Sequence, residues 1–207
     1  MAQEVASAFR ARMPTNFNAP EAEVNPGTRG MVIREDAGKR VLEGMTWGFP
    51  VRLKGTKPTS RPKPINNIAN IDSWTWRHIA PLPEHRCLIP LTAFGEPEGE
   101  KGKTTRTWFT VKGHPIFAWA GLWKNSDEWG AVYSGYMTEC NDAIRPVHAR
   151  MPVLLLPEDY DRWLHGSLDD VRAFEERCFP DNLIETHRTD VPWYQPKGVM
   201  APLPVLS

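Results

Sequence analysis

The sequence predicts an α+β fold: a mainly antiparallel sheet or open β-barrel with short flanking helices. Two observations carry that prediction. Runs rich in β-branched and aromatic residues, such as Thr107-Trp108-Phe109-Thr110-Val111, recur along the chain with turn residues between them. Twenty prolines in 207 residues interrupt the chain too often for long helices or central strands. A third observation sets the domain count. No internal repeat and no long linker divides the chain, so one domain over residues 1–207 is expected, large enough to bury a core.

In chain order, residues 3–12 read as a short amphipathic helix with Val5, Ala8 and Phe9 on one side, ended by Met13-Pro14. Pro26-Gly27 marks a turn. Met31–Arg34 is a strand, Asp36–Arg40 a turn and Val41–Phe49 the return strand of a hairpin. Residues 50–64 hold four prolines and read as a long, functional surface loop. Asn66, Asn67 and Asn70 cannot all be buried unpaired, so they line a turn or a polar pocket. Ser73–Ile79 forms one or two helical turns, with Ser73 available as a cap. Arg86–Pro90 is a short buried strand continued by Ala93–Pro97, and Gly99–Thr105 is a flexible basic hairpin tip. Strands follow at 107–111, 116–123 and 131–138. Pro146–Pro152 is read as extended, which sets His148 and Arg150 on one face, and the apolar residues Val153–Leu156 anchor it as a buried strand. Helices are expected at Glu158–Leu164 and at Leu168–Cys178, the second with Val171, Phe174 and Cys178 inward. The proline-rich tail packs as an extended strap.

Apolar residues at 41% and charged residues at 24% are ordinary for a globular protein. Twenty-five basic and 25 acidic residues cancel, which excludes a protein that coats nucleic acid by charge alone. The charges are unevenly spread, however. Arg52, Lys54, Lys57, Arg61 and Lys63 form one basic stretch, and Lys101, Lys103 and Arg106 a second, so a local basic groove fits the sequence. Nine tryptophans supply core, with any exposed ones available as stacking platforms. Cys87, Cys140 and Cys178 match neither a disulfide framework nor a zinc site. The first residues lack a leader pattern and no apolar run reaches membrane-spanning length. A cytoplasmic monomer is expected, with no metal, cofactor or membrane partner.

Several residue types invite chemistry. His148 can shuttle a proton while Arg150 holds an anion such as a phosphate; a solvated loop is the plainer alternative. Glu96, between Gly95 and Pro97 after an apolar run, is a candidate general acid or base if partial burial raises its pKa. Its alternative is a solvated acid, as Glu98 and Glu100 are expected to be. Asn67 can orient an amine or hydroxyl, or close an Asx-turn. Trp47 can stack on a base or fill the core. Cys140 with His148 suggests a cysteine nucleophile, but no basic neighbour lowers the thiol pKa.

Met45-Thr46-Trp47-Gly48-Phe49-Pro50, Asn67, Arg86–Pro90, Ala93-Phe94-Gly95-Glu96, Phe117–Trp123 and His148-Ala149-Arg150-Met151-Pro152 stand in one order. In that order the chain resembles the SRAP family (SOS-response-associated peptidase) from about Val24 to Leu164. The resemblance implies binding of single-stranded or junction DNA at abasic sites, and covalent capture of the ring-opened sugar aldehyde. In the family pattern an N-terminal cysteine supplies an amine that forms an imine and a thiol that closes a thiazolidine. By motif match Asn67 would hold the amine, and Glu96 and His148 would move protons, the three converging on one pocket. Arg77 and Arg150 would grip phosphates, with Arg52, Lys54 and Arg61 adding local charge. Pro26 and Trp47 would wedge against bases, and Thr138 would join the DNA surface.

Two positions depart from the pattern. Ala2 stands where the family has cysteine, and the first ten residues resemble the helix that follows the catalytic strand. The sequence is therefore expected either to start downstream of the true start or to have lost the nucleophile; the first is favoured because Asn67, Glu96 and His148 remain. Ala69 replaces an arginine usual two residues after the asparagine. Two rival readings stay open: a non-covalent binder of abasic or single-stranded DNA, and a peptidase-like hydrolase.

Overall fold

The computed structural model describes residues 1–52, 55, 57 and 59–194; Lys54 lies outside the described residues. In chain order the helix α1 (Ala2–Ala8) precedes strands β1 (Arg29–Asp36), β2 (Lys39–Trp47), β3 (Phe49–Val51), β4 (Lys63–Ile65) and β5 (Asn67–Ile68). Strands β6 (Arg86–Leu91), β7 (Phe94–Glu98), β8 (Thr105–Val111), β9 (Phe117–Ser126) and β10 (Gly130–Glu139) follow. Then come β11 (Arg150–Pro152), β12 (Leu154–Leu155), helices α2 (Tyr160–His165) and α3 (Leu168–Glu176), and β13 (Ile184–Pro192). The mostly antiparallel, strand-rich α+β class expected from sequence is what the chain adopts.

Contacts group the chain into two compact units. Among the described residues the first holds Met1–Leu91, Ile116–Thr138 and Pro152–Arg177; the second holds Thr92–Pro115, Glu139–Met151 and residues 178–194.

In the first unit β1 and β2 form the expected hairpin, with Ile33 opposite Leu42. Its two-residue turn, Ala37-Gly38, has φ of 48° and 74°. Positive φ at both positions gives the turn whose twist suits a hairpin. β6 pairs with β1, β9 with β6 and β10 with β9, all antiparallel. β10 also runs parallel to β2 and to β5, so the sheet curls back on itself. The loop expected at 50–64 is a hairpin at its base, β3 against β4.

α1 ends six residues before Pro14, so proline is not what stops it. Arg10 N–H donates to the Ser7 carbonyl and Ala11 N–H to the Ala6 carbonyl, with Arg10 at φ 50°. This is a Schellman stop with arginine where glycine is usual. Val5 and Phe9 are buried as expected, but Ala6 takes the inward place expected of Ala8, which faces out. Phe9 stacks on Tyr160 of α2 with ring centres 5.0 Å apart. α2 sits where the sequence places it, and Trp163 donates its indole N–H to the Cys87 carbonyl at 2.9 Å. The buried Arg86 guanidinium ties α2 to the sheet through the carbonyls of Trp163 (3.1 Å) and Gly166 (2.6 Å). α3 begins on a Ser167/Asp170 capping box and buries Val171 and Phe174. It stops at Glu176, which leaves Cys178 exposed rather than in the core. Ser73–Ile79 forms consecutive turns around the Ser73 backbone carbonyl, not a capped helix.

In the second unit β7, β8 and β13 make a three-stranded antiparallel sheet. The expected tail strap is a true strand as far as Pro192. Phe94 and Phe109 stack across it at 5.2 Å. The segment after β10 is pinned by Asn141, whose side-chain N–H₂ donates to the Phe179 carbonyl at 2.9 Å and whose oxygen accepts from Ile144 N–H at 3.2 Å.

Candidate active site

Glu96 enters the site because β7 is paired on only one side. It lies opposite Thr107 of β8, on the face opposite that of Gly95, where Trp108 fills the space a side chain would need. Its carboxyl is 16% exposed and approaches His148 Nδ1 to 4.0 Å. Burial raises the Glu96 pKa, and the nearby His148 pulls it partly back. A carboxyl held in that balance keeps its proton more readily than a solvated acid does, which suits a general acid.

His148 is not on an extended segment. Residues 142–147 are turns, and His148 N–H closes the last of them on the Ile144 carbonyl at 3.1 Å. Its ring then folds back on the next strand: Nδ1 lies 2.7 Å from the Arg150 carbonyl and 3.2 Å from the Arg150 N–H. The two-residue spacing therefore does not put His148 and Arg150 on one strand face; it makes the Arg150 peptide the ring's support. The imidazole stays 39% exposed, open to solvent. Glu98 and Glu100 were expected to behave alike and do not. Glu98 accepts from Thr107 Oγ1 at 2.5 Å and from Arg188 Nε at 3.0 Å, which hold its pKa down. Glu100 is exposed. Of the two neighbours on β7, the acid beside His148 is raised and the one beside Arg188 is lowered.

In the first unit Asn67 is exposed on β5, whose backbone pairs Asn67 with Gly135 of β10. Gly135 and its partner Gly121 are both glycines, and a Cβ at Gly135 would sit 2.0 Å from the Trp119 ring. Trp47 is half-buried. Its indole N–H donates to the Asn66 carbonyl at 2.9 Å, one face stacks toward Tyr133 and an edge meets Trp119. Pro26 is at the exposed tip of the turn Asn25–Thr28, which docks on Trp47 through Gly27 N–H to the Trp47 carbonyl at 2.7 Å. Pro26 and Trp47 are thus joined, although 21 residues apart in sequence.

The remaining positions differ in how free they are. Arg61 is exposed. Arg77 is exposed and its Nε lies 3.2 Å from His78. Arg52 already bridges Glu128 at 3.0 Å and the Ser60 carbonyl at 2.6 Å. Thr138 is 6% exposed and gives its hydroxyl to the Glu175 carbonyl at 2.5 Å, a structural bond. Sequence reasoning missed Trp74, which stands 77% exposed three residues from Arg77. Nine tryptophans do not say which are exposed, and at Trp74 the loss of helical packing over 73–79 is what frees the ring. Cys140 is buried. Among the described residues no group of His, Cys, Asp and Glu could hold a metal, and no helix is long and apolar enough to cross a membrane.

The model of the family SOS response associated peptidase (SRAP) matches residues 1–191. The chain is 30% identical over 164 residues to the abasic site processing protein YoqW of Bacillus subtilis, covering 76% of this chain and 72% of the relative. It is 26% identical to the abasic site processing protein YobE of the same organism, covering 81% and 78%. A crystal structure of a Bordetella bronchiseptica protein superposes with a TM-score of 0.73 at 23% identity, over 91% of this chain and 95% of that one. A Bacteroides thetaiotaomicron structure gives 0.72 at 18% identity over 90% and 88%; these two show the shared fold.

Proposed function

Because the chain belongs to the SOS response-associated peptidase family, we propose that it binds single-stranded DNA at abasic sites and processes the exposed sugar. The observation that carries the reading is the pairing of Glu96, whose pKa burial raises, with the half-exposed His148 at 4.0 Å. Opening an abasic sugar to its aldehyde requires a proton off the 1-hydroxyl and a proton onto the ring oxygen. An acid–base pair with two different environments supplies both. Asn67 contributes an amide that can orient an attacking amine. Pro26 and Trp47 supply an apolar wedge for bases that flank the lesion, and Trp74 a further stacking face. Arg150, Arg77, Arg52, Lys54 and Arg61 supply phosphate contacts, with Thr138 supporting the surface from within.

The covalent step divides into two. An amine and the aldehyde lose water to an imine; a thiol on the same residue then adds across the C=N bond and closes a thiazolidine. Ala2, once Met1 is removed, offers an amine only, which could at best give an imine that water reverses, so the 207-residue polypeptide is expected to form no heat-stable adduct. The test is a denaturing gel with abasic and intact oligonucleotides. A Met-Cys extension should create a heat-stable band, and Glu96→Gln and His148→Ala should each slow its appearance by roughly 10²–10⁴-fold. Equal rates in the extended protein with and without either substitution would overturn the proton-transfer assignment. A reading as a peptidase-like hydrolase finds no support at Cys140, which is buried.

A further inference from the structure

The second basic stretch takes no part in the site above. In the second unit Trp193 N–H is fixed to the Thr104 carbonyl at 2.9 Å, which holds the residues after β13 against the start of β8. Lys103, Thr104, Pro192, Trp193 and Tyr194 line a depression of about 410 Å³, a size that accepts a nucleobase. Trp193 is 37% exposed and Tyr194 is 90% exposed. The Arg106 guanidinium lies 6.0 Å from the Trp108 ring centre and 5.8 Å from that of Trp193, between two indoles. Lys101 and Lys103 are exposed at the adjoining tip. Glu98, an acid of the same strands, is occupied by Arg188. Along β7 and β8 the side chains alternate, so Arg106 and Trp108 stand on the face opposite Thr107 and Glu96.

We propose that this aromatic and basic surface is a second contact for single-stranded nucleic acid, in which bases stack on Trp193 and Tyr194 while Lys101 and Lys103 meet phosphates. The proposal rests on the DNA-binding reading of the chain but uses a different face. Cation–aromatic contacts hold Trp193 before any base arrives, which lowers the ordering cost of stacking. Two aromatics lining one depression can each take a base without sequence preference.

The test uses the full chain and an undamaged fluorescent oligothymidine, alone and with a central abasic residue. Trp193→Ala with Tyr194→Ala should weaken binding of the undamaged strand by roughly 5–50-fold. Lys101→Ala with Lys103→Ala should reduce the slope of log affinity against log salt by about 1.4. A 5-iododeoxyuridine strand should photocrosslink to the peptide holding Trp193 and Tyr194. Unchanged affinity in the aromatic double variant, with crosslinks elsewhere, overturns the second contact while leaving the abasic reading intact. Loss of any preference for the abasic strand, with the crosslink retained, sinks the abasic reading and not this one. Quenching of Trp193 by a proline-rich peptide but not by the oligonucleotide overturns it in favour of peptide recognition.

Discussion

At the scale of single residues the carboxyl of Glu96 sets stability against function. Its folded pKa is raised, so the folded state holds the proton more tightly than the unfolded state does. The sign follows: the stabilisation is complete below the unfolded carboxyl pKa and is lost as pH rises through the raised folded value. Glu96→Gln keeps the shape without the charge. It should therefore raise Tm at pH 7 relative to wild type, and the gap should close near pH 4; a variant less stable at both pH values would refute the assignment. Glu96 was singled out in the sequence by its place in the ordered family motifs, since a carboxylate at the end of an apolar strand reads equally well as a solvated acid. Its difference from Glu98 was not legible, since that depends on Arg188, 90 residues further along on β13. The exposure of Trp74 and Trp193 was equally hidden, because composition counts tryptophans without saying which ones lack neighbours.

At the scale of elements, β10 carries Asn67 through a backbone pairing that only small residues permit. Trp119 lies across Gly135 and is held there by its indole N–H to the Tyr136 carbonyl at 2.6 Å and by the edge of Trp47. Gly135→Ala would place a methyl 2.0 Å from that ring, so the ring or β5 must shift. The expected cost is about 1–3 kcal/mol, read as a lower urea midpoint at unchanged m-value. The displaced β5 should also reduce any rate that depends on Asn67. A variant with wild-type midpoint would show that Trp119 moves freely. The β1–β2 hairpin was legible because two alternating runs flank a short turn. The stop of α1 was not: arginine in a left-handed conformation carries no sequence signal, and Pro14 drew the boundary too late. The His148 segment misled for a related reason. Flanking prolines suggest extension, whereas Asn141 and Ile144 close turns that bring the ring back over the Arg150 peptide.

For the whole molecule the governing quantity is a net charge of zero, from 25 basic and 25 acidic residues. A neutral protein gains little from long-range attraction to DNA, so its salt dependence should count only local phosphate contacts. The candidate residues for such contacts are unequal. Arg61 and Lys63 are exposed, whereas Arg52 is already spent on Glu128 and Ser60. Releasing Arg52 to a phosphate would break a charge-assisted bond within the protein, so its net gain from DNA is smaller. Arg61→Ala with Lys63→Ala should therefore flatten the slope of log affinity against log salt by about 1.4 for a single strand. Arg52→Ala should flatten it less, and should instead loosen the loop, detectable as faster proteolysis between β3 and β4. An Arg52 effect as large as that of Arg61 would mean the Glu128 bridge opens on binding. Glu128→Gln separates the two cases: it should strengthen DNA binding if Arg52 must leave the bridge, and leave affinity unchanged if the bridge persists in the complex.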